Sequence, residues 1–205
     1  MSAIKTVVFD LGNVLFDFDF KKAFGAFSRL QGMTKRPEEV VAFFRASPVE
    51  RAYTEGKVST AVFFEHVKDG LGLSCGFDDF RQAYCDIFTA NTETFAVVQD
   101  LKRQEIKLMV LSNTNELHFD FLAELSPWTT LFDACVLSYQ VFCQKPQQEI
   151  YDILIERAGC APAHIFFTDD LEENITAAGT AGIRGYRFDT AGGLRARLHD
   201  EGIPV

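Results

Sequence analysis

The chain has 205 residues, of which 47% are hydrophobic and 24% are charged, as expected for one folded domain or for one domain with a small insertion. Its formal net charge of -9 makes nucleic acid and anionic membranes unfavourable partners, because like charges repel. A phosphate-bearing ligand would meet the same repulsion unless a metal ion or a well-placed lysine neutralised it.

The cysteines and the apolar runs indicate the compartment. The five cysteines are an odd number and include no CxxC pair, which argues against a disulfide framework and against a structural zinc site. No apolar run reaches the roughly 18 residues that cross a bilayer. Lys5 and Asp10 interrupt the apolar residues at the N-terminus, so the pattern of a signal peptide is missing. We therefore expect a cytoplasmic protein with reduced thiols.

The first predicted strand is Thr6–Phe9, a run of β-branched and aromatic residues that ends at Asp10. Similar apolar runs recur at residues 108–111, 135–137, 165–167 and 185–188. Short runs that are apolar throughout are typical of strands that are buried on both faces of a parallel sheet.

Helical patterns separate these runs. One predicted helix follows Asn91 and places apolar side chains on one face. Another is expected to have Pro146 at its first position and to end at Gly159. Because helices alternate with strands, the pattern predicts an α/β fold with a doubly wound parallel sheet.

Residues 19–88 have a different pattern. They contain apolar clusters at helical spacing, such as Phe63 and Val67, broken at Pro48 and Gly56, and they lack a strong strand pattern. We therefore predict two domains. Residues 1–18 and 89–205 would form the α/β core, and residues 19–88 would form a small helical domain inserted after the first strand.

Polar residues follow the predicted strands at the edge where parallel sheets bind ligands. They are, in chain order, Asp10, Ser112 with Asn113, Lys145, and Asp169 with Asp170. A carboxylate can attack phosphorus and form an acyl-phosphate that water later hydrolyses. Carboxylates also hold Mg²⁺, which neutralises phosphate charge, and a lysine can keep the attacking carboxylate ionised. A serine hydroxyl and backbone N–H groups can donate to phosphoryl oxygens.

These residues fall into four ordered motifs that cover nearly the whole chain. Phe9-Asp10-Leu11-Gly12-Asn13-Val14-Leu15 resembles the first motif of the haloacid dehalogenase (HAD) superfamily, and Leu111-Ser112-Asn113 resembles the second. Lys145-Pro146 is similar to the third motif, and Phe167-Thr168-Asp169-Asp170 with Asn174 to the fourth. The first two motifs and the stretch from Thr54 to Ser59 look most like the bacterial glucose-1-phosphate phosphatase branch, which has a helical cap.

The resemblance implies a HAD-like, Rossmann-like core with a helical cap and a role for each motif residue. Asp10 would be the nucleophile and a Mg²⁺ ligand, and Lys145 would bridge Asp10 and the phosphoryl group. Ser112 and the backbone of Asn113 would bind phosphate. The metal ligands would include Asp170 and the backbone carbonyl of Gly12, and Asp169 would be a further ligand or would act through metal-bound water or Lys145.

One position departs from most phosphatases of the family. They carry a second aspartate two residues after the nucleophile as general acid and base, whereas this chain has Gly12. Losing a general acid typically costs on the order of 10²–10⁴ in rate, and less when the leaving group is good. The glucose-1-phosphate branch shares the Gly-Asn step, and Asp17 and Asp19 lie near enough in sequence to be candidate substitutes.

The sequence therefore predicts a Mg²⁺-dependent phosphohydrolase that acts on a small phosphorylated metabolite, with a sugar phosphate favoured. The helical cap would select the substrate, with Arg45, Arg51 and Tyr53 as candidate contacts. Two alternatives stay open: a 2-haloacid dehalogenase, which also uses an aspartate and a lysine but no metal, and a catalytically silent module that binds phosphate esters. We expect a monomer or a homodimer.

Overall fold

The computed structural model describes residues 3–205, except for the side chains of residues 20, 21 and 23. Its strands, in chain order, are β1 (Thr6–Phe9), β2 (Phe16–Phe18), β3 (Phe88–Ala90), β4 (Lys107–Ser112), β5 (Ala134–Leu137), β6 (Ile165–Asp169) and β7 (Arg184–Arg187). Its helices are α1 (Phe20–Phe27), α2 (Pro37–Ala46), α3 (Pro48–Thr54), α4 (Thr60–Leu71), α5 (Phe77–Cys85), α6 (Thr92–Lys102), α7 (Glu116–Leu125), α8 (Ser138–Val141), α9 (Gln148–Ala158), α10 (Glu172–Thr180) and α11 (Ala191–Asp200). Two short 3₁₀ helices lie at Pro127–Leu131 and Pro162–His164.

Five strands form a parallel sheet in the order β5-β4-β1-β6-β7. The central strand β1 is buried throughout, and its Val8 pairs in register with Met109 of β4 and Phe167 of β6. Separate hydrophobic clusters cover the two faces, one built around α6 and α11 and the other around α9 and α10. Helices on both faces explain why the central strands β1, β4 and β6 are largely apolar, and the predicted doubly wound α/β fold is confirmed.

The strand order places three carboxyl ends side by side. Asp10 directly follows β1, Ser112 ends β4 on one side of it, and Asp169 ends β6 on the other. The chain leaves β1 for one half of the sheet and crosses to the other half between β5 and β6. Such a reversal point is where open α/β sheets bind ligands.

The five helices α1–α5 form a helical insertion with its own hydrophobic core. Phe27, Phe63, Val67 and Phe80 are buried in it, together with Phe121 of α7 from the α/β part of the chain. The chain enters and leaves the insertion through an antiparallel ribbon of β2 and β3, in which Phe18 pairs with Phe88. The predicted domain boundaries, at residues 18/19 and 88/89, pass through this ribbon.

The structure differs from the sequence-based expectation at Pro146. We expected this residue to be the first of a helix, but α9 begins at Gln148. Residues 144–147 form a turn instead, because the N–H of Gln147 donates to the carbonyl of Gln144 and the N–H of Gln144 donates to the Gln147 side chain. The Lys145–Pro146 peptide in this turn is cis. At the other end of α9, Gly159 caps the helix with a left-handed conformation, as expected.

The helices of the described chain are short. The longest of them, α4, has 12 residues, and none of those within residues 3–205 combines the length and the apolar character needed to cross a membrane.

Candidate active site

The side chain of Lys145 is the centre of the site. It is 3% exposed, and its ammonium lies 2.9 Å from Oδ1 of Asp10, 2.6 Å from Oδ2 of Asp169 and 3.1 Å from the carbonyl oxygen of Leu111. An ammonium has three hydrogens to donate, so these three acceptors account for all of them. Burial alone would lower the pKa of Lys145, but Asp10 and Asp169 outweigh that effect and raise it. The lysine is therefore held as a fixed positive charge.

Asp169 serves mainly to hold other groups in place. The residue is completely buried, and its Oδ1 accepts hydrogen bonds from the N–H of Leu171 at 2.8 Å and from the Asn174 amide at 2.9 Å. Its Oδ2 accepts from Lys145 at 2.6 Å and from the same amide at 3.0 Å. With both oxygens occupied, Asp169 is poorly placed to add a metal as a direct ligand.

Asp10 is less constrained. It is 8% exposed, and its Oδ1 accepts hydrogen bonds from the N–H of Leu11 at 2.7 Å and from Lys145. Burial raises the pKa of the Asp10 carboxyl, with Lys145 as the main opposing influence and Asp169 adding to the rise. A neighbouring divalent cation would lower this pKa and favour the ionised form that a nucleophile needs. Both contacts are to Oδ1, so Oδ2 accepts no hydrogen bond from the described residues.

In the second motif, Ser112-Asn113, the side chain of Asn113 makes contacts that the sequence did not indicate. Ser112 ends β4 and is buried. The side chain of Asn113 makes two hydrogen bonds with the backbone of Lys145: its amide donates to the Lys145 carbonyl, and its oxygen accepts from the Lys145 N–H, both at 2.8 Å. Asn113 therefore fixes the loop that carries Lys145, a role for which the local sequence gave no signal.

Three carboxylates form a candidate metal site. One oxygen from each of Asp10, Asp169 and Asp170 lies within 4.8 Å of the others. Oxygen donors of this kind suit Mg²⁺, which is usually bound by one or two carboxylates together with water and substrate oxygens. Asp170 is half-buried, and its Oδ2 accepts a hydrogen bond of 2.9 Å from the amide of Asn13, which orients it. Because Asp169 is saturated, the donor set fits Mg²⁺ best with Asp10 and Asp170 as the ligating carboxylates.

Gly12 lies in the loop that joins Asp10 to β2. Backbone hydrogen bonds fix this loop, including one of 2.8 Å from the N–H of Asn13 to the carbonyl of Phe16. A Cβ atom added at Gly12 would meet nothing within 4 Å, so the position has room for a side chain. The candidate substitutes for a general acid, Asp17 and Asp19, are both exposed at and just after β2.

Two contacts hold the end of α3 and the loop after it against the rim of the sheet. The buried hydroxyl of Ser138 lies 2.7 Å from the carbonyl oxygen of Thr54 and 2.9 Å from that of Thr114, and it accepts from the N–H of Thr114 at 3.0 Å. Gly56 has φ +68, and an added Cβ would lie 2.0 Å from the backbone oxygen of Tyr139. The loop after α3 is thus held directly against the segment that follows β5.

The three residues proposed to contact the substrate are placed differently. Arg45 and Arg51 line a cleft that also includes Asn113 and Gln144. Tyr53 is 2% exposed, stacks on Phe63 and accepts a hydrogen bond of 3.2 Å from the N–H of Leu117. The two arginines therefore lie beside the site, whereas Tyr53 packs where the insertion meets α7.

Comparisons with known proteins identify the family. The family model described as haloacid dehalogenase-like hydrolase matches residues 4–182. A D-ribitol-5-phosphate phosphatase of Bacteroides thetaiotaomicron is 27% identical over 202 residues, which cover 95% of this chain and 97% of that protein. An (S)-2-haloacid dehalogenase of Pseudomonas sp. strain YL is 24% identical over 87% of this chain and 79% of its own.

A solved structure is also similar to this chain. It is a HAD family enzyme of Bacteroides thetaiotaomicron in complex with magnesium and inorganic phosphate, with a TM-score of 0.81, 26% identity, and coverage of 93% of this chain and 96% of the other.

The fold and the ordered site residues thus define a HAD-type hydrolase. The chain belongs to the haloacid dehalogenase-like hydrolase family. The predicted family, the predicted fold class and the predicted class of enzyme, a HAD-like phosphatase, are confirmed.

Proposed function

We propose that this protein is a Mg²⁺-dependent phosphohydrolase that removes the phosphoryl group of a small phosphorylated metabolite through an aspartyl-phosphate on Asp10. The observation that carries the proposal is the buried Lys145, held between Asp10 and Asp169, with Asp170 beside them. The name of the relative that hydrolyses D-ribitol 5-phosphate supports phosphate esters of sugars and polyols as the first class to test.

Each motif residue has a role in this proposal. Oδ2 of Asp10 attacks phosphorus as the bond from phosphorus to the leaving oxygen breaks, and water later cleaves the acyl-phosphate and restores the carboxylate. Lys145 stabilises the charge that gathers on the phosphoryl oxygens and keeps Asp10 in place. Ser112 and the backbone of Asn113 bind the phosphoryl group, and Asp169 acts by holding Lys145.

The metal site is part of the proposal. Asp10, Asp170 and the carbonyl of Gly12 would hold Mg²⁺, which when bound neutralises phosphate charge and polarises the phosphoryl group. Asn13 would orient Asp170 through its amide. Asp169 would contribute through Lys145 or through metal-bound water.

We also propose that residues 19–88 act as a cap over a core formed by residues 1–18 and 89–205. Two features support this division: the insertion has its own hydrophobic cluster, and it connects to the core through the β2–β3 ribbon. Because Arg45 and Arg51 line the cleft that reaches Asn113, the cap is placed to contact the part of the substrate that is not phosphate.

The test is phosphate release from a panel that includes acetyl phosphate, an aryl phosphate, and phosphate esters of sugars and polyols, each with Mg²⁺ and with EDTA. We expect release that requires Mg²⁺. Chloride release from 2-chloropropionate without metal would favour a dehalogenase instead. Tight binding of phosphate esters without release from any of them would favour a silent binding module.

A further inference from the structure

An apolar cavity lies where the helical insertion meets β2 and α7. Its volume is about 250 Å³, and seven of the eleven described residues that line it are phenylalanine, valine or isoleucine. Phe27, Val40 and Ile87 are buried there, and Val41 and Phe44 are half-buried. Pockets that hold drug-sized molecules occupy about 300–1,000 Å³, so this cavity suits a smaller group, such as one ring or a short branched chain.

The polar atoms at one wall of the cavity are already engaged. Nε2 of His118 lies 3.1 Å from the carbonyl oxygen of Tyr84, and Nδ1 lies 3.3 Å from the amide of Asn115. The hydroxyl of Tyr84 accepts a hydrogen bond of 2.9 Å from the same amide. Burial lowers the pKa of His118 to about 4 and raises that of Tyr84 well above its ordinary value, so both side chains are uncharged at neutral pH.

Two residues join the cavity to the cleft beside the candidate active site. Arg45 and Glu50 line the apolar cavity, and they also line the cleft that reaches Asn113 and Gln144. Asn113 in turn pairs with the backbone of Lys145. A ligand with its phosphate at Lys145 and its organic part directed through this cleft would therefore reach the cavity between Arg45 and Glu50.

We propose that this cavity binds the leaving group of the substrate, and that the preferred substrate is a phosphate monoester of a compact apolar alcohol. The inference rests on the proposed phosphatase function and narrows its substrate class. It departs from the sugar phosphate that the sequence favours.

The lining explains the choice between an apolar alcohol and a sugar. A sugar or a polyol carries several hydroxyl groups, and each must find a hydrogen-bond partner when water is removed. The charged lining residues, Arg45 and Glu50, are shared with the cleft, so they can serve only hydroxyl groups near that end of the cavity. Within the cavity both ring nitrogens of His118 already have protein partners, Tyr84 keeps a single O–H to donate, and the seven apolar side chains offer no partner. An aromatic or branched alkyl group loses only apolar surface to the cavity, which is favourable.

The first experiment uses the wild-type protein with Mg²⁺ and compares esters of primary alcohols, whose leaving groups are similar in basicity. The substrates are benzyl phosphate, ethyl phosphate and D-ribitol 5-phosphate. We expect kcat/KM for benzyl phosphate to exceed that of each of the others by about 10- to 100-fold, as burial of one ring predicts. A higher kcat/KM for D-ribitol 5-phosphate than for benzyl phosphate would overturn the inference.

Acetyl phosphate separates this inference from the function on which it rests. This small, activated substrate needs no group in the cavity, so its hydrolysis reports on the phosphoryl-transfer site without the cavity. If acetyl phosphate is hydrolysed with Mg²⁺ and benzyl phosphate is not preferred, the substrate class is wrong and the phosphatase function stands. If neither substrate is hydrolysed, the proposed function fails, and the inference fails with it.

A pair of variants tests whether the preference for benzyl phosphate arises in the cavity. Val41→Trp fills the cavity from α2, and Val62→Trp places the same side chain at an exposed position on α4, where Val62 is 53% exposed. We expect the ratio of kcat/KM for benzyl phosphate to that for acetyl phosphate to fall at least about tenfold in Val41→Trp and to be unchanged in Val62→Trp. An equal ratio in the two variants would show that the leaving group binds elsewhere.

Discussion

The positive charge of Lys145 compensates the negative charges of Asp10 and Asp169. Its ammonium lies between two buried carboxylates, and removing one partner of such a cluster typically costs about 3–5 kcal/mol, because a buried charge loses its compensation. We expect Lys145→Met to lower the free energy of unfolding by about 3 kcal/mol at neutral pH and to abolish phosphate release. Urea unfolding monitored by circular dichroism measures the first effect.

A double variant separates charge from packing at this position. Lys145→Met combined with Asp169→Asn removes a cation and an anion together, so the pair of changes leaves less uncompensated charge than Lys145→Met alone. We expect the double variant to recover part of the lost stability but none of the activity. A double variant whose loss equals the sum of the two single losses would contradict the compensation described here.

Gly12 tests whether the site lacks a proton donor for the leaving group. Most phosphatases of the wider family have an aspartate there, and the structure has space for one, since an added Cβ meets nothing within 4 Å. We expect Gly12→Asp to raise kcat for poor leaving groups such as ethyl phosphate by at least about tenfold, because the new carboxyl group can donate a proton. Acetyl phosphate, with a good leaving group, should gain little.

The matched control is Gly12→Ala. It fills the same space without a proton donor, so we expect no gain with ethyl phosphate. Equal rates in the alanine and aspartate variants would mean that the missing carboxylate does not limit this enzyme.

The residue scale also shows what sequence reasoning captures. The positions of Asp10, Ser112, Lys145 and Asp169 follow from apolar strands that end at one edge of a sheet, which is a local pattern. The roles of Asn113 and Ser138 do not, because their side chains bond to backbone groups far away in the sequence. Asn113 contacts Lys145, 32 positions away, and Ser138 contacts Thr54, 84 positions away. Such pairs leave no periodic signal.

At the scale of secondary-structure elements, the loop between α3 and α4 fixes the insertion to the core. Gly56 in this loop has φ +68 and no room for a side chain against Tyr139, whereas Gly72 after α4 has φ +70 and open space. An alanine at either position meets a similar strain, about 1 kcal/mol, from its backbone conformation. Only at Gly56 would it also push the loop away from the core.

We therefore expect Gly56→Ala to reduce kcat/KM by at least about tenfold and Gly72→Ala to leave it nearly unchanged, because small displacements near a site disturb the alignment of reacting groups. Steady-state kinetics with acetyl phosphate measures the difference. Similar kcat/KM values for the two variants would mean that this contact does not position the site.

The five strands of the parallel sheet were predictable from the sequence, whereas the β2–β3 ribbon was not. Runs such as Ile165–Phe167 are apolar because both faces of the sheet are covered, which is a strong sequence signal. The strands β2 and β3 have three residues each and alternate little, so their pairing depends on the insertion that brings their ends together. The start of α9 was misplaced because the turn at residues 144–147 depends on the side chain of Gln147.

At the scale of the whole molecule, His118, which lines the apolar cavity, links folding stability to pH. Burial lowers the pKa of His118 to about 4, against about 6.5 in an unfolded chain, so the unfolded state binds the proton first as the pH falls. The contribution of His118 to the free energy of unfolding is therefore fully present above about pH 6.5 and is lost as the pH falls toward 4. Between about pH 7.5 and 5.5 the loss amounts to about 1 kcal/mol.

The measurement is urea unfolding of wild-type protein and of His118→Gln at these two pH values, which both lie above the isoelectric point of about 4.9. We expect the wild type to lose about 1 kcal/mol more than the variant. His118 is half-buried and lines the cavity, so solvent contact would make the difference smaller rather than larger. The same pH dependence in both proteins would contradict a neutral His118.

The central claim is that Asp10 receives the phosphoryl group. The most direct measurement is peptide mass spectrometry of protein that has been mixed with acetyl phosphate and Mg²⁺ and quenched in acid, alongside the initial rate of phosphate release. We expect one added phosphoryl group on the peptide that contains Asp10, its loss with EDTA, and neither adduct nor phosphate release in Asp10→Asn. Phosphate release by Asp10→Asn at the wild-type rate would contradict the account.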